Sequence, residues 1–228
     1  MLKIIIILIA LISLQSCWDD SKISPSLEKT NSGYNILHLT QKSQKLFSPI
    51  AKEEIEVVYY FAWGCPHCNK FNPQLLNWIE NDTNFKRVTF AKTPVSLLPN
   101  WVDLSRLYYA AKELNFLEKI DVPIFKALHR KNKPLNEWIE DIAAFAIPFA
   151  KKVDKNITVD KLIDLMDSDK ITNQILQDNQ QILALMMHDT PTIVVRYKQN
   201  FYQLNNAVSD KSGGIITVLN NLINNLKE

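Results

Sequence analysis

Glycine is scarce in this chain: four residues in 228, at Gly33, Gly64, Gly213 and Gly214. None falls in a GxGxxG or GxxxxGK pattern, the spacings that bring main-chain N–H groups against phosphates, so dinucleotide-fingerprint and Walker-type loops are excluded. Charge of one sign is lacking as well. Lys and Arg number 26 against 24 Asp and Glu, a net charge of +2, and without a long basic run nucleic acid is not expected as a partner. The apolar run from Ile4 to Leu14 has eleven residues. As a helix it spans about 16 Å, roughly half of a bilayer's hydrocarbon core, so it is not a transmembrane anchor. Three cysteines are too few for a disulfide-dense mini-scaffold. With 46% hydrophobic and 22% charged residues, the chain reads as one domain with a sizeable core, or one domain carrying an inserted lobe.

The N-terminus reads as an address. Met1-Leu2-Lys3 followed by the apolar run matches the n- and h-regions of a signal peptide. Leu14-Gln15-Ser16-Cys17 then resembles the lipobox of bacterial lipoproteins, which implies cleavage after residue 16 and a diacylglycerol on the Cys17 sulfur. The alternative is an ordinary secretory peptide with an incidental cysteine. Trp18 rather than an aspartate follows Cys17, so inner-membrane retention is not indicated and a periplasm-facing lipoprotein of the outer membrane is favoured. Residues 17–33 are polar, contain Ser and Pro, and read as a tether to a soluble domain.

The chemistry lies at Cys65-Pro66-His67-Cys68. IEVVYYFA at 55–62 is β-branched and aromatic, the pattern of a buried strand. Downstream, Phe71, Leu75, Trp78 and Ile79 recur at helical spacing. The cysteines therefore sit at a strand-to-helix junction, with Cys65 near the helix N-cap and Pro66 at the first helical position, where a missing N–H costs nothing. Unpaired N–H groups and the positive end of the helix dipole favour a thiolate there, and His67 adds a nearby donor. A stabilised thiolate also stabilises the reduced dithiol and makes the disulfide a stronger oxidant. The same CxxC could serve as a structural disulfide or as half of a zinc site, although His38, His129 and His188 show no ligand spacing to one another.

Strand, aromatic, CPHC and helix resemble the thioredoxin superfamily, and the Pro-His dipeptide resembles the DsbA group of thiol oxidases. A second match lies far downstream: Asp189-Thr190-Pro191-Thr192 precedes the apolar strand 193–195, where the thioredoxin fold places a cis-proline loop facing the CxxC. Pro191 is then the cis residue, with Thr190 offering main-chain hydrogen bonds to an extended substrate. The resemblance covers about 34–228. It implies an α/β protein of thioredoxin fold, a central mixed β-sheet flanked by helices with an inserted all-helical lobe. The parts are a first thioredoxin-like portion at 34–96, a helical insertion at 97–187 and a second portion at 188–228. Within the insertion, apolar residues from Trp101 to Leu114, Ile124 to Leu128, Trp138 to Ala146 before Pro148, Val159 to Met166 and Ile171 to Met187 suggest successive helices. FKRVTFAK (85–92) reads as a strand and YKQNFYQL (197–204) as a hairpin strand.

By the same resemblance the protein is a periplasmic dithiol oxidase using Cys65 and Cys68, with no cofactor beyond their disulfide and no metal. Its expected partners are unfolded or partly folded exported proteins with cysteines, and a DsbB-like quinone-linked membrane reoxidant. Trp63 is the residue expected to offer apolar contact beside the site; the competing expectation is a buried aromatic closing the sheet. Two departures stand out. Many thioredoxin-like proteins carry an acid six residues before the first cysteine, and here that residue is Tyr59, with Glu56 on the opposite strand face. Thr190 replaces the valine frequent in DsbA oxidases, and threonine there is familiar from disulfide isomerases. Isomerase or reductase activity is thus the nearest alternative, and a metal-binding or interaction lipoprotein the more distant one.

Overall fold

A computed structural model of the chain describes residues 24–226. Cys17, its lipobox and the signal peptide lie outside the described residues. The elements in order are strands β1 (Ser26–Lys29) and β2 (Asn35–His38), helix α1 (Gln41–Gln44), strand β3 (Ile55–Phe61), helix α2 (Pro66–Asn81) and strand β4 (Thr89–Pro94). Five helices follow: α3 (Trp101–Glu113), α4 (Leu117–Leu128), α5 (Ile139–Ala150), α6 (Val159–Met166) and α7 (Asp169–Ala184). Strands β5 (Thr192–Tyr197) and β6 (Asn200–Asn205), a short α8 (Asn206–Ser209) and α9 (Ile215–Asn225) complete the chain. The strands form one mixed sheet in the order β1-β2-β6-β5-β3-β4, with β3 and β4 parallel and the other pairs antiparallel. This is the thioredoxin-like architecture with a helical insertion that the sequence implies. Among the described residues no helix is long and apolar enough to cross a membrane.

Strand β3 is central, and its alternation builds both cores. Val57, Tyr59 and Phe61 enter the larger core with Leu75 and Trp78 of α2, Leu222 of α9 and much of the insertion. Val58 and Tyr60 enter a smaller one on the opposite face with Ile182 of α7, Val194 and Phe201. Glu56 is the polar exception. It pairs across the sheet with Arg196 at 2.6 Å, in direct register between β3 and β5, and plays no part near the cysteines.

Four local features differ from the sequence expectation. The last part of the presumed tether is structured, since Ser26–Lys29 pairs with β2 as an edge strand. Its one apolar residue, Leu27, gives no readable pattern, because main-chain pairing rather than burial holds it. Phe85–Arg87 forms a 3-10 turn, so β4 begins only at Thr89. Helix α5 runs through Pro148 to Ala150, although the proline gives up its own bond to the carbonyl of Ala144 one turn back. Helix α7 stops at Ala184 rather than near Met187. Met186 takes a left-handed φ of 51°, and the Met187 N–H reaches back to the Ile182 carbonyl at 3.2 Å. That is a Schellman-type end in which methionine stands where glycine is usual.

Candidate active site

Cys65 is the N-cap of α2, in extended conformation, with Pro66 opening the helix as its spacing predicts. The Cys65 Sγ accepts a hydrogen bond from the Cys68 N–H at 3.4 Å, satisfying one of the unpaired donors of the helix start. Both cysteines are free thiols, Cys68 wholly buried and Cys65 retaining a small exposed edge. Gly64 allows this approach. A Cβ there would lie 2.5 Å from the Trp101 indole nitrogen and 2.9 Å from the Glu137 carboxylate, both from the insertion. Pro73 lies within α2, as the resemblance suggests.

The distant loop arrives where it is expected. The Thr190–Pro191 peptide is cis, Thr190 is buried, and the Cys65 thiol donates to the Thr190 carbonyl at 3.5 Å across 125 residues of sequence. Asp189 braces the loop by accepting from Thr192 Oγ1 through its carbonyl at 2.9 Å and from Asn205 Nδ2 at 3.0 Å. His188 is exposed just outside.

These neighbours divide the two thiols. The Cys65 pKa is lowered to about 5, chiefly because the Cys68 thiol donates to it; burial opposes this, while Thr190 and the main-chain N–H groups of Cys68 and His67 reinforce it. Cys68 is pushed far up, first by burial and then by the hydrogen bond and negative charge of Cys65. Once Cys65 gives up the proton that it donates to the Thr190 carbonyl, the pair is an exposed-edge thiolate over a buried thiol. The His67 side chain is exposed; what reaches Cys65 is its main-chain N–H.

Trp63 overturns one expectation. It is 2% exposed and closes the sheet, edge-on to Tyr108. Its Nε1 donates to Asp121 Oδ1 at 2.8 Å, and His129 Nε2 meets its carbonyl at 2.7 Å. Although it lies in the turn just after β3, the inserted helices cover it, so it cannot serve as a surface. Among the described residues the exposed aromatic is Trp138, 72% accessible at the start of α5, next in sequence to Glu137, whose carboxylate faces Gly64. Its apolar spacing had placed it on a core-facing stripe, yet as N-cap it lies before the helix proper. Sequence reasoning also missed the pair Lys92–Asp121, 2.5 Å apart and both largely buried. Asp121 belongs to a helix that local pattern only partly revealed, and nothing in the sequence ties it to β4.

No protein-family model matches the chain. It is 25% identical over 208 residues to the thiol:disulfide interchange protein DsbA of Burkholderia cepacia, covering 91% of this chain and 90% of that protein. With the DsbA of Pseudomonas aeruginosa it shares 28% identity over 160 residues, 69% of this chain and 72% of that one. Its fold is similar to the crystal structure of the oxidoreductase DsbA from Xylella fastidiosa, with a TM-score of 0.64 at 22% identity over 79% of this chain and 89% of that chain. With a helix-capping cysteine over a buried second thiol and the Thr190 carbonyl of a cis X-Pro peptide beside it, the chain is similar over nearly its whole length to the DsbA thiol:disulfide interchange proteins.

Proposed function

We propose that this protein is a dithiol oxidase that donates the Cys65–Cys68 disulfide to cysteine-containing exported proteins in the periplasm. The observation that carries the reading is the contrast between a stabilised Cys65 thiolate and a buried, protonated Cys68 beneath it. Stabilising one thiolate of the dithiol favours the reduced form, so the disulfide readily gives itself away. A client thiolate attacks the Cys65 sulfur, the Cys65–Cys68 bond breaks, and Cys68 takes the electron pair and then a proton. The client's second thiolate attacks its own sulfur in the mixed disulfide and expels Cys65 as thiolate. The client loses two electrons and the enzyme gains them. A DsbB-like quinone-coupled membrane protein would then reoxidise the pair.

The Thr190 carbonyl, beside Cys65, suits a main-chain hydrogen bond from an extended client segment. Lipidation at Cys17, supported by the lipobox-like run, would hold the enzyme at the outer membrane facing the periplasm. Thr190 itself favours a second reading, disulfide isomerase or reductase. Measuring the reduction potential against glutathione, with oxidation of reduced ribonuclease compared to repair of the scrambled enzyme, separates the two. A potential well above the roughly −270 mV of thioredoxin, with oxidation outpacing repair, is expected; a value near −270 mV defeats the oxidase assignment.

Exposed Leu97, Leu98 and Trp138 offer apolar surface on loops flanking α3 and α5. Replacing Trp138 by alanine is expected to raise the KM for a reduced unfolded protein about threefold to tenfold, while leaving turnover of glutathione unchanged. Steady-state oxidation of the two substrates checks this.

A further inference from the structure

Tyr59 lies in the same core as both cysteines, wholly buried, with its ring 5.7 Å from that of Phe71, one helical turn beyond Cys68, and its hydroxyl makes no hydrogen bond of regular geometry among the described residues. Such an orphan is costly, since a buried donor loses its water without replacement, and it calls for a reason. Burial first, and then the negative charge of Cys68, hold the Tyr59 pKa well above its ordinary value, so the hydroxyl keeps its proton and stays a donor. Behind it stands Lys92, its neighbour in register across β3 and β4, with the ammonium 5.9 Å from the Tyr59 ring centre and 5.0 Å from that of Phe61. Asp121 of α4 holds the ammonium at 2.5 Å and is itself fixed by the Trp63 indole. A largely buried ion pair is a poor source of stability, because desolvation offsets its attraction. Its placement beside an orphan hydroxyl and a buried sulfur suits a different task.

We propose that the Tyr59 hydroxyl is the donor that stabilises negative charge on Cys68 as the disulfide opens or closes, with Lys92, anchored by Asp121, as a positioning residue whose ammonium lies over the Tyr59 ring. The inference rests on the disulfide-exchange reading above. When a client attacks Cys65, the electron pair of the broken S–S bond settles on Cys68. There it meets the hydroxyl, until the proton that the client thiol released to water returns to the sulfur. In the reverse direction the same hydroxyl stabilises the Cys68 thiolate as it attacks a mixed disulfide on Cys65. The structure thus provides, from a tyrosine and the insertion, what a carboxyl on β3 would otherwise supply.

Reduced protein mixed with oxidised glutathione separates the steps. In the first, the Cys65 thiolate attacks glutathione disulfide and expels one glutathione thiolate. In the second, Cys68 attacks the Cys65 sulfur and expels the other, so that the dithiol gives up two electrons to glutathione. Rapid acid quench and mass spectrometry count the mixed disulfide over time. Tyr59→Phe, which keeps the ring, is expected to slow the second step about tenfold or more while the first stays within about twofold. Lys92→Met should act in the same direction, and Lys92→Arg should restore the second step. Equal slowing of both steps, or no change in either, overturns the inference, and Lys92→Met decides it if Tyr59→Phe fails to fold. Failure of the wild-type protein to form its disulfide at all would instead defeat the exchange reading.

Discussion

Replacing Cys65 by serine is expected to lower disulfide transfer to a reduced protein by roughly a thousandfold or more, the scale of loss when a covalent nucleophile is removed. Replacing Cys68 by serine should abolish turnover differently, by trapping client proteins on Cys65. The asymmetry follows from position. Cys65 caps the helix beside the Thr190 carbonyl and keeps an exposed edge, whereas Cys68 lies one turn in with no accessible surface. Of the enzyme's thiols, only Cys65 can meet a client sulfur, and only Cys68 is placed to displace one from it. Non-reducing electrophoresis of cells expressing the Cys68→Ser variant should show a ladder of client adducts sensitive to dithiothreitol. Adducts on the Cys65→Ser variant instead would reverse the assignment.

The reactivity of reduced Cys65 should follow a titration centred near pH 5, against about 8.5 for an unperturbed cysteine. Because the largest contribution comes from the Cys68 thiol, Cys68→Ala should move the midpoint upward. The same groups set a pH dependence of stability. Between about pH 5 and pH 9 the folded reduced form carries a thiolate where the unfolded chain carries a thiol, so unfolding binds a proton and stability rises with pH. That stabilisation is complete above the unfolded pKa and is lost as pH falls through about 5. At pH 7 it amounts to about 2 kcal/mol relative to pH 5, at about 1.4 kcal/mol per unit once Cys65 is fully ionised. Cys68, with its pKa raised, adds nothing below pH 9 and acts in the opposite direction above it. Iodoacetamide alkylation across pH measures the first effect. Urea unfolding of reduced and oxidised protein measures the second, since the disulfide form has no such thiolate. A midpoint near 8.5 or a flat reduced-state profile would contradict both.

Much of the site was legible because its signals are local. A strand of β-branched and aromatic residues, a CPHC break and a helical stripe define the junction without reference to anything distant. The Thr190–Pro191 loop was readable through the resemblance to the thioredoxin fold, which places a cis-proline loop before such an apolar strand. What the sequence concealed depends on contacts between segments. Trp63 is buried by helices that begin some forty residues later, so its exposure could not be judged from its neighbours in sequence. Asp121 acquires meaning only when α4 packs beside β4. Strand β1 exists because β2 offers it an edge, and Met186 ends α7 in a conformation whose usual marker, glycine, is missing.

The anchoring of Trp63 bears on how the enzyme handles dissimilar clients. Its indole is bound to Asp121, in the second turn of α4, and its carbonyl to His129, the C-cap of the same helix. The strand leading into Cys65 is thereby clamped to the inserted lobe at two points, only two residues before the nucleophile. Lobe and sheet cannot hinge apart without breaking both contacts at once. Breadth of substrate choice must then come from the pliancy of unfolded clients threading past a stiff jaw, and folded proteins with inaccessible cysteines should be poor substrates for mechanical reasons alone.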